Sequence, residues 1–466
     1  MQMGGGRDEC VSCPLLRSDR LMMEEEMNMR DYAKELIDFI HRSPSCYHVV
    51  ENIAEELKEQ GFSELYEGTR WGLAKGGKYF VRRNLSSILA FKVPEGEIRG
   101  FQIAASHSDS PTFKLKENMD IVVDDSYTKL NVEKYGGMLC APWFDRPLSV
   151  AGKVVVRSGD RLVSRLVNLD RDLLMIPNLA IHMNRSVNDG YQYSIQKDML
   201  PLLGDETAKG KMMELVAEEL GVAPEDILGT DLFLYCREQG TIWGVNGEYI
   251  SSPKLDDLQC TFANLQGFLM GDNQNTLSVY AVFDNEEVGS GTKQGAASTV
   301  LLDTLSRINE SLGRSKEEYL MALASGFMLS ADNAHAVHPN HMDAADPTNH
   351  PHMNQGVVIK FSANQKYCTD SVSAAMFRSI CDRAGVPTQV FHNHSDILGG
   401  STLGNLSNAQ VSLNMVDIGL AQLAMHSPYE TAGVKDTEYL VRAVTAFYNT
   451  FIEEKGNGQY ELHTED

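Results

Sequence analysis

The sequence predicts an α/β fold, with a mostly parallel sheet as its main domain and a β-rich domain inserted into it. Three observations point there. From residue 248 onward, strand-length apolar runs alternate with amphipathic helical stretches, the pattern of βαβ units. Helices and short apolar strands also open the chain, over residues 30–119. Between these stretches, residues 120–247 carry closely spaced strand segments around a hairpin signal. A main domain of residues 30–119 and 248–466, split in sequence but not in space, accounts for all three. The length agrees, because 466 residues exceed what one ordinary core covers.

The elements follow in order. Residues 1–29 carry Gly4-Gly5-Gly6 and Glu24-Glu25-Glu26 without the apolar core of a signal peptide, and are expected to form a disordered extension. Tyr32, Leu36, Phe39 and Ile40 share one helical face, which Ser43-Pro44 ends. Val50, Ile53 and Leu57 mark a second helix, stopped at Gly61. Strands are expected at 78–81, 88–92 and 100–105, the last running into His107. In the inserted block, residues 153–156 and 162–166 flank Ser158-Gly159-Asp160 as a hairpin, and a helix over 211–220 ends at Gly221. Beyond it come a strand at 277–283, a helix near 295–308, a strand at 357–361, and helices at 370–384 and 436–454.

Composition narrows the function. With 64 acidic and 41 basic residues, the formal charge is −23, which argues against nucleic acid and anionic membrane surfaces as partners. No apolar stretch approaches the roughly 20 residues of a membrane span. The eight cysteines are scattered apart from Cys10 and Cys13, whose C-x-x-C lacks the second pair that a zinc site needs. Free thiols and a cytoplasmic setting are therefore expected.

Five segments carry candidate chemistry. Asp284-Asn285-Glu286-Glu287-Val288-Gly289-Ser290 follows the apolar run 277–283, so three carboxylates crowd one strand end. Like charges that close raise each other's pKa or need a cation between them. Adjacent glutamates make sense if one binds a metal and its neighbour takes a proton from the nucleophilic water. His107 and Asp109 fall on the same face of an extended segment, so Asp109 is placed to orient the His107 ring. Asp256 and Asp257 follow Pro253-Lys254-Leu255; either suits a metal, and either suits a helix N-cap. Asp332 follows an apolar run and precedes His335 and His338, while His426 lies near a late turn. Each segment alone also suits an ordinary structural role. Together they supply the histidines and carboxylates of a two-metal hydrolytic site.

H-S-D-S-P at 107–111, P-K-L-D at 253–256, D-N-E-E-V-G-S at 284–290, S-A-D-N-A-H-A-V-H-P-N at 330–340 and A-M-H-S-P-Y-E at 424–430 stand in this order. With them come A-P-W-F-D-R-P-L-S at 141–149, I-P-N-L-A-I-H at 176–182 and G-S-T-L-G at 400–404. This set resembles the aspartyl aminopeptidase family of di-zinc metalloaminopeptidases, in its bacterial type, across residues 30–448. The resemblance implies a zinc-peptidase catalytic domain with an inserted dimerisation domain. It implies two zinc ions per subunit, with cobalt or manganese tolerated by the same donors. His107, Asp256, Glu287, Asp332 and His426 would be their ligands, with Asp256 bridging.

Glu286 would be the general base and Asp109 would orient His107. His182 would reach a partner subunit's site to steady the carbonyl oxyanion, within a homodimer that assembles into a homododecamer. The implied activity is hydrolysis of the N-terminal peptide bond of peptides by a water bridging the two ions. One position departs. Asn364 stands where eukaryotic members carry a lysine that pairs with an acidic substrate side chain, with Lys366 and Tyr367 nearby, so a broader preference is expected. A different di-metal amide hydrolase, such as a carboxypeptidase or N-deacylase, would need a cationic anchor for a carboxylate. A non-enzymatic shell protein would not need the ligands and the base together.

Overall fold

The computed structural model describes residues 32–464. The expected extension 1–29 and its Cys10/Cys13 pair lie outside the described residues.

A nine-stranded sheet organises the chain. Its spatial order is Ser63–Leu65, Lys78–Arg83, Ser87–Lys92, Thr276–Phe283, Gly100–His107, Phe327–Ala331, Asn414–Gly419, Val357–Lys360 and Thr388–Phe391. The four strands from Thr276–Phe283 to Asn414–Gly419 run parallel. Antiparallel pairings join them to Ser87–Lys92 on one side and to Val357–Lys360 on the other. Every residue of Thr276–Phe283 and Gly100–His107 is buried, as expected of parallel strands covered on both faces. Alternate side chains feed two cores. Ala104, Tyr280 and Val282 face the helices Cys46–Glu59, Leu255–Met270, Ser371–Arg383 and Val434–Tyr448. Ile103, Val279 and Phe283 face Val300–Ser311 and Lys316–Ala324.

A separate antiparallel sheet of six strands runs in the order Arg161–Asn168, Leu148–Ser158, Ile227–Cys236, Thr112–Val123, Tyr127–Tyr135 and Leu202–Asp205. It has its own core, closed by Met212, Val216 and Leu220 of the helix Lys211–Leu220. This sheet begins before residue 120 and ends before residue 247, because Thr112–Val123 leaves the main sheet directly after Pro111. Residues 241–252 belong instead to a third sheet, where Tyr249–Ser252 pairs with Glu430–Gly433.

Two helix boundaries differ from expectation. The helix expected over 436–454 ends at Tyr448, and Thr450–Gly456 turns into a hairpin with Gln459–Thr464. Phe451 and Ile452 are buried as strand residues, so tertiary packing overrides the helical period. The helix expected from 295 starts at Val300, because a Cβ on Gly295 would lie 2.3 Å from the Ser290 carbonyl oxygen, an approach that the preceding turn uses. His335 ends the short strand Ala334–His335.

Candidate metal centre

The parallel register brings the candidate residues together. Phe283 pairs with His107 and Ser330 with Ala105, so three strands end at one rim. That rim carries His107, Glu286, Glu287 and Asp332, in the place where open α/β sheets gather their chemistry. Asp256 arrives from the third sheet, at the start of Leu255–Met270. Asp256 and Asp257 both carry non-helical backbone angles, as an N-cap would, but neither carboxylate accepts a helix N–H: Asp257 Oδ2 takes the His107 N–H, and the Oδ1 atoms of both residues have no hydrogen-bond partner, so the N-cap alternative does not hold. His426 sits at φ 67° in the loop between Ala421–Leu423 and Glu430–Gly433.

The two oxygens of Asp256 face two histidines. Oδ1 lies 3.5 Å from His107 Nε2, and Oδ2 lies 3.4 Å from His426 Nε2. His426 Nε2 is also 3.3 Å from Glu287 Oε2. Two ligand-like groups result: His107, Asp256, Asp257 and Asp332, and Asp256, Glu287 and His426, the donor atoms of each lying within 4.8 Å of one another. Asp256 belongs to both. Asp257 Oδ2 is already engaged by the His107 backbone N–H at 3.2 Å.

The electrostatics fit divalent cations. Burial, with the charge of Asp256 behind it, pushes the Glu287 carboxyl well above the usual carboxylate range. Burial raises Glu286 to about 8 and Asp332 in the same direction. For His107, burial alone would lower the pKa, but the Asp109 and Asp256 carboxylates outweigh it. Asp256 Oδ1 and Glu287 Oε1 are buried without a hydrogen-bond partner. Carboxylates packed this closely, with oxygens left over, are the donor set that Zn²⁺ and similar ions satisfy.

The surrounding shell extends the sequence reading. Asp109 holds His107 Nδ1 through its backbone carbonyl at 3.1 Å, with Oδ1 at 3.4 Å. Its carboxylate accepts the backbone N–H of Glu286 at 3.1 Å and of Glu287 at 3.2 Å. Glu430, whose place in A-M-H-S-P-Y-E was the only signal for it, is buried. It accepts the Asp256 N–H at 2.9 Å through one oxygen and the His426 N–H at 2.7 Å through the other. Lys360, at the end of an apolar strand, donates to the Asn333 carbonyl at 2.8 Å and lies 3.8 Å from Asp332 Oδ2.

A cleft of about 250 Å³ opens on this cluster, lined by Asp256, Glu286, Asp332, Lys360, Tyr367 and His426 among others. Asn364 and Lys366 line a different cavity of about 460 Å³, because the turn from Ser362 to Gln365 reverses the chain before Tyr367. His182 is exposed on a turn of the six-stranded unit and does not line the cleft. Among the described residues, no helix is long and apolar enough to cross a membrane.

Residues 39–448 match the family described as aminopeptidase I zinc metalloprotease (M18). A probable M18 family aminopeptidase 2 of Clostridium acetobutylicum is 47% identical over 430 residues, covering 91% of this chain and 99% of the relative. An aspartyl aminopeptidase of Dictyostelium discoideum is 36% identical, covering 90% and 96%. The structure of an S. cerevesiae mApe1 dodecamer superposes with a TM-score of 0.80 at 27% identity, covering 90% of this chain and 97% of that one. With nearly the whole described chain matched, and a relative 47% identical over 91% of the chain, this protein belongs to the M18 family of zinc metalloproteases and is an aminopeptidase.

Proposed function

We propose that this aminopeptidase works with two divalent ions, zinc by preference, held on either side of Asp256. His107 and Asp332 would complete one position; Glu287 and His426 would complete the other. The observation that carries this reading is Asp256 itself, which presents one oxygen to each histidine. Ions bound there would supply Lewis acidity for the substrate carbonyl and for the attacking water. Glu286, in the same cleft and with its pKa raised by burial, takes the proton of the attacking water. It then returns that proton to the leaving amine. The acidic surroundings suit the free amine of a peptide N-terminus.

In place of the broader preference expected from Asn364, an acidic preference is proposed, resting on Lys360. Among the described residues lining the cleft, it alone carries a permanent positive charge, whereas the neutral amide of Asn364 faces another cavity. The six-stranded unit is proposed as the dimerisation domain. It presents exposed Leu179, Ile181 and Met183 around His182, which would enter a partner's cleft to steady the carbonyl oxyanion. A dodecamer of such dimers, as in the yeast relative, is the proposed assembly.

Aspartyl, leucyl and alanyl p-nitroanilides test the activity and its preference. The expected result is cleavage of free-amine substrates, lost on chelation, with the aspartyl compound faster by about 10-fold or more. Equal cleavage of an N-acetylated substrate would refute the aminopeptidase chemistry. Equal rates on all three would refute the role of Lys360.

A further inference from the structure

The metal centre is not built by the main sheet alone. Residues 135–139 leave the end of Tyr127–Tyr135, a strand of the six-stranded unit, and pass directly over the Glu286–Glu287 turn. The Tyr135 hydroxyl donates to Asp109 Oδ2 at 2.6 Å, on the same carboxylate that holds the Glu286 and Glu287 backbones. It also accepts from Asn285 Nδ2 at 2.9 Å. Gly136 has φ +76°, and a Cβ there would lie 3.1 Å from Glu287 Cβ and 3.3 Å from the Glu287 carbonyl oxygen. A Cβ on Gly137 would lie 3.8 Å from His426 Nδ1. The Leu139 N–H then donates to the His426 carbonyl at 3.1 Å. One short segment therefore touches both the base turn and the loop of the last histidine.

We propose that residues 135–139 are a positioning strap, through which the six-stranded unit holds Glu286, Glu287 and His426 in place. Tyr135 is its main polar contact and Gly136 its point of closest approach. Burial, reinforced by the Asp109 charge, raises the Tyr135 pKa, so the phenol stays a donor across the working range. The seam beside it is hollow. A cavity of about 470 Å³ lies between the two sheets, with Asp109, Tyr135, Asp284 and Asn285 on its wall. The ring of Tyr135 packs edge-on against Phe233, 5.6 Å between centroids, which anchors the strap in its own unit.

Two ligands of the same proposed ion, Glu287 and His426, are the ones the strap touches. His107 and Asp332, at the other position, are not hydrogen-bonded by residues 135–139 among those described; His107 is reached only through Asp109, which Tyr135 also bonds. The strap thus bears directly on the ligands of one proposed ion, and on those of the other only through Asp109. This inference rests on the proposed roles of Glu286 and Glu287, and its test separates from theirs.

The full-length, zinc-loaded protein carrying Tyr135→Phe is compared with wild type. The expected result is a kcat lower by about 5- to 30-fold with KM within about twofold, because the base is mispositioned while binding is kept. Asn285→Ala, alone and combined with Tyr135→Phe, should give non-additive losses in kcat, since both break the same chain of contacts. Gly136→Ala should release one of the bound zinc ions to a chelator about 10-fold faster and leave the other unchanged. Additive losses, or a Tyr135→Phe enzyme with unchanged kcat and unchanged zinc release, would overturn the strap. The roles of Glu286 and Glu287 would survive that outcome, because they are tested by their own substitutions.

Discussion

At the scale of single residues, Glu430 links the two halves of the site. One buried carboxylate accepts the backbone N–H groups of Asp256 and His426, so these two proposed ligands are fixed relative to each other. Glu430→Gln keeps the volume but offers an N–H where an acceptor is needed, leaving one backbone donor facing another donor. The substitution should weaken metal retention by roughly 10- to 100-fold, measured as zinc content after graded chelation, with thermal stability lowered only modestly. Zinc retention equal to wild type would remove Glu430 from this role. Lys360 matters at the same scale. Buried against Asp332, it lowers the repulsion among the carboxylates and gives the cleft its one fixed cation among the described lining residues.

At the scale of elements, the site follows from strand ends in register, and much of this was legible in the sequence. The run 277–283 reads as a strand because every residue is apolar or small, and it forms Thr276–Phe283 with both faces buried. Asp370 and Gly221 mark their helix ends, as an N-cap whose carboxylate accepts the Ser373 N–H and as a left-handed C-cap. The order of motifs pointed to the proposed ligand set, because each motif ends or begins an element that reaches the same rim. What stayed illegible depends on contacts distant in sequence. A helix over 436–454 fits the local period, yet Phe451 and Ile452 are claimed by a hairpin. Tyr135 and Gly136 carry no local sign of function, since a tyrosine at a strand end and a glycine after it are ordinary turn chemistry. Only the crossing of the six-stranded unit over the Glu286–Glu287 turn gives them a role. Asn364 and Lys366 read as neighbours of Tyr367, but one turn of chain sends them to another cavity.

At the scale of the molecule, two sheets with separate cores meet at one metal centre, and the proposed assembly adds a third contributor. His182 lies exposed on its own subunit, away from the residues that line its own cleft. If it serves a partner, His182→Ala and Glu286→Gln subunits, each inactive alone, should complement when co-expressed. A mixed dimer would then hold one complete site, giving roughly a quarter of wild-type turnover in a statistical mixture. No recovery would place His182 outside the reaction. The central claim is narrower and more directly tested: adjacent glutamates divide the work, Glu287 holding an ion and Glu286 moving a proton. The deciding measurement is zinc content and turnover of Glu286→Gln in one preparation. The account predicts two zinc ions retained per subunit and turnover lower by about 10²- to 10⁴-fold. Near wild-type turnover, or loss of bound zinc with the glutamine in place, would contradict it.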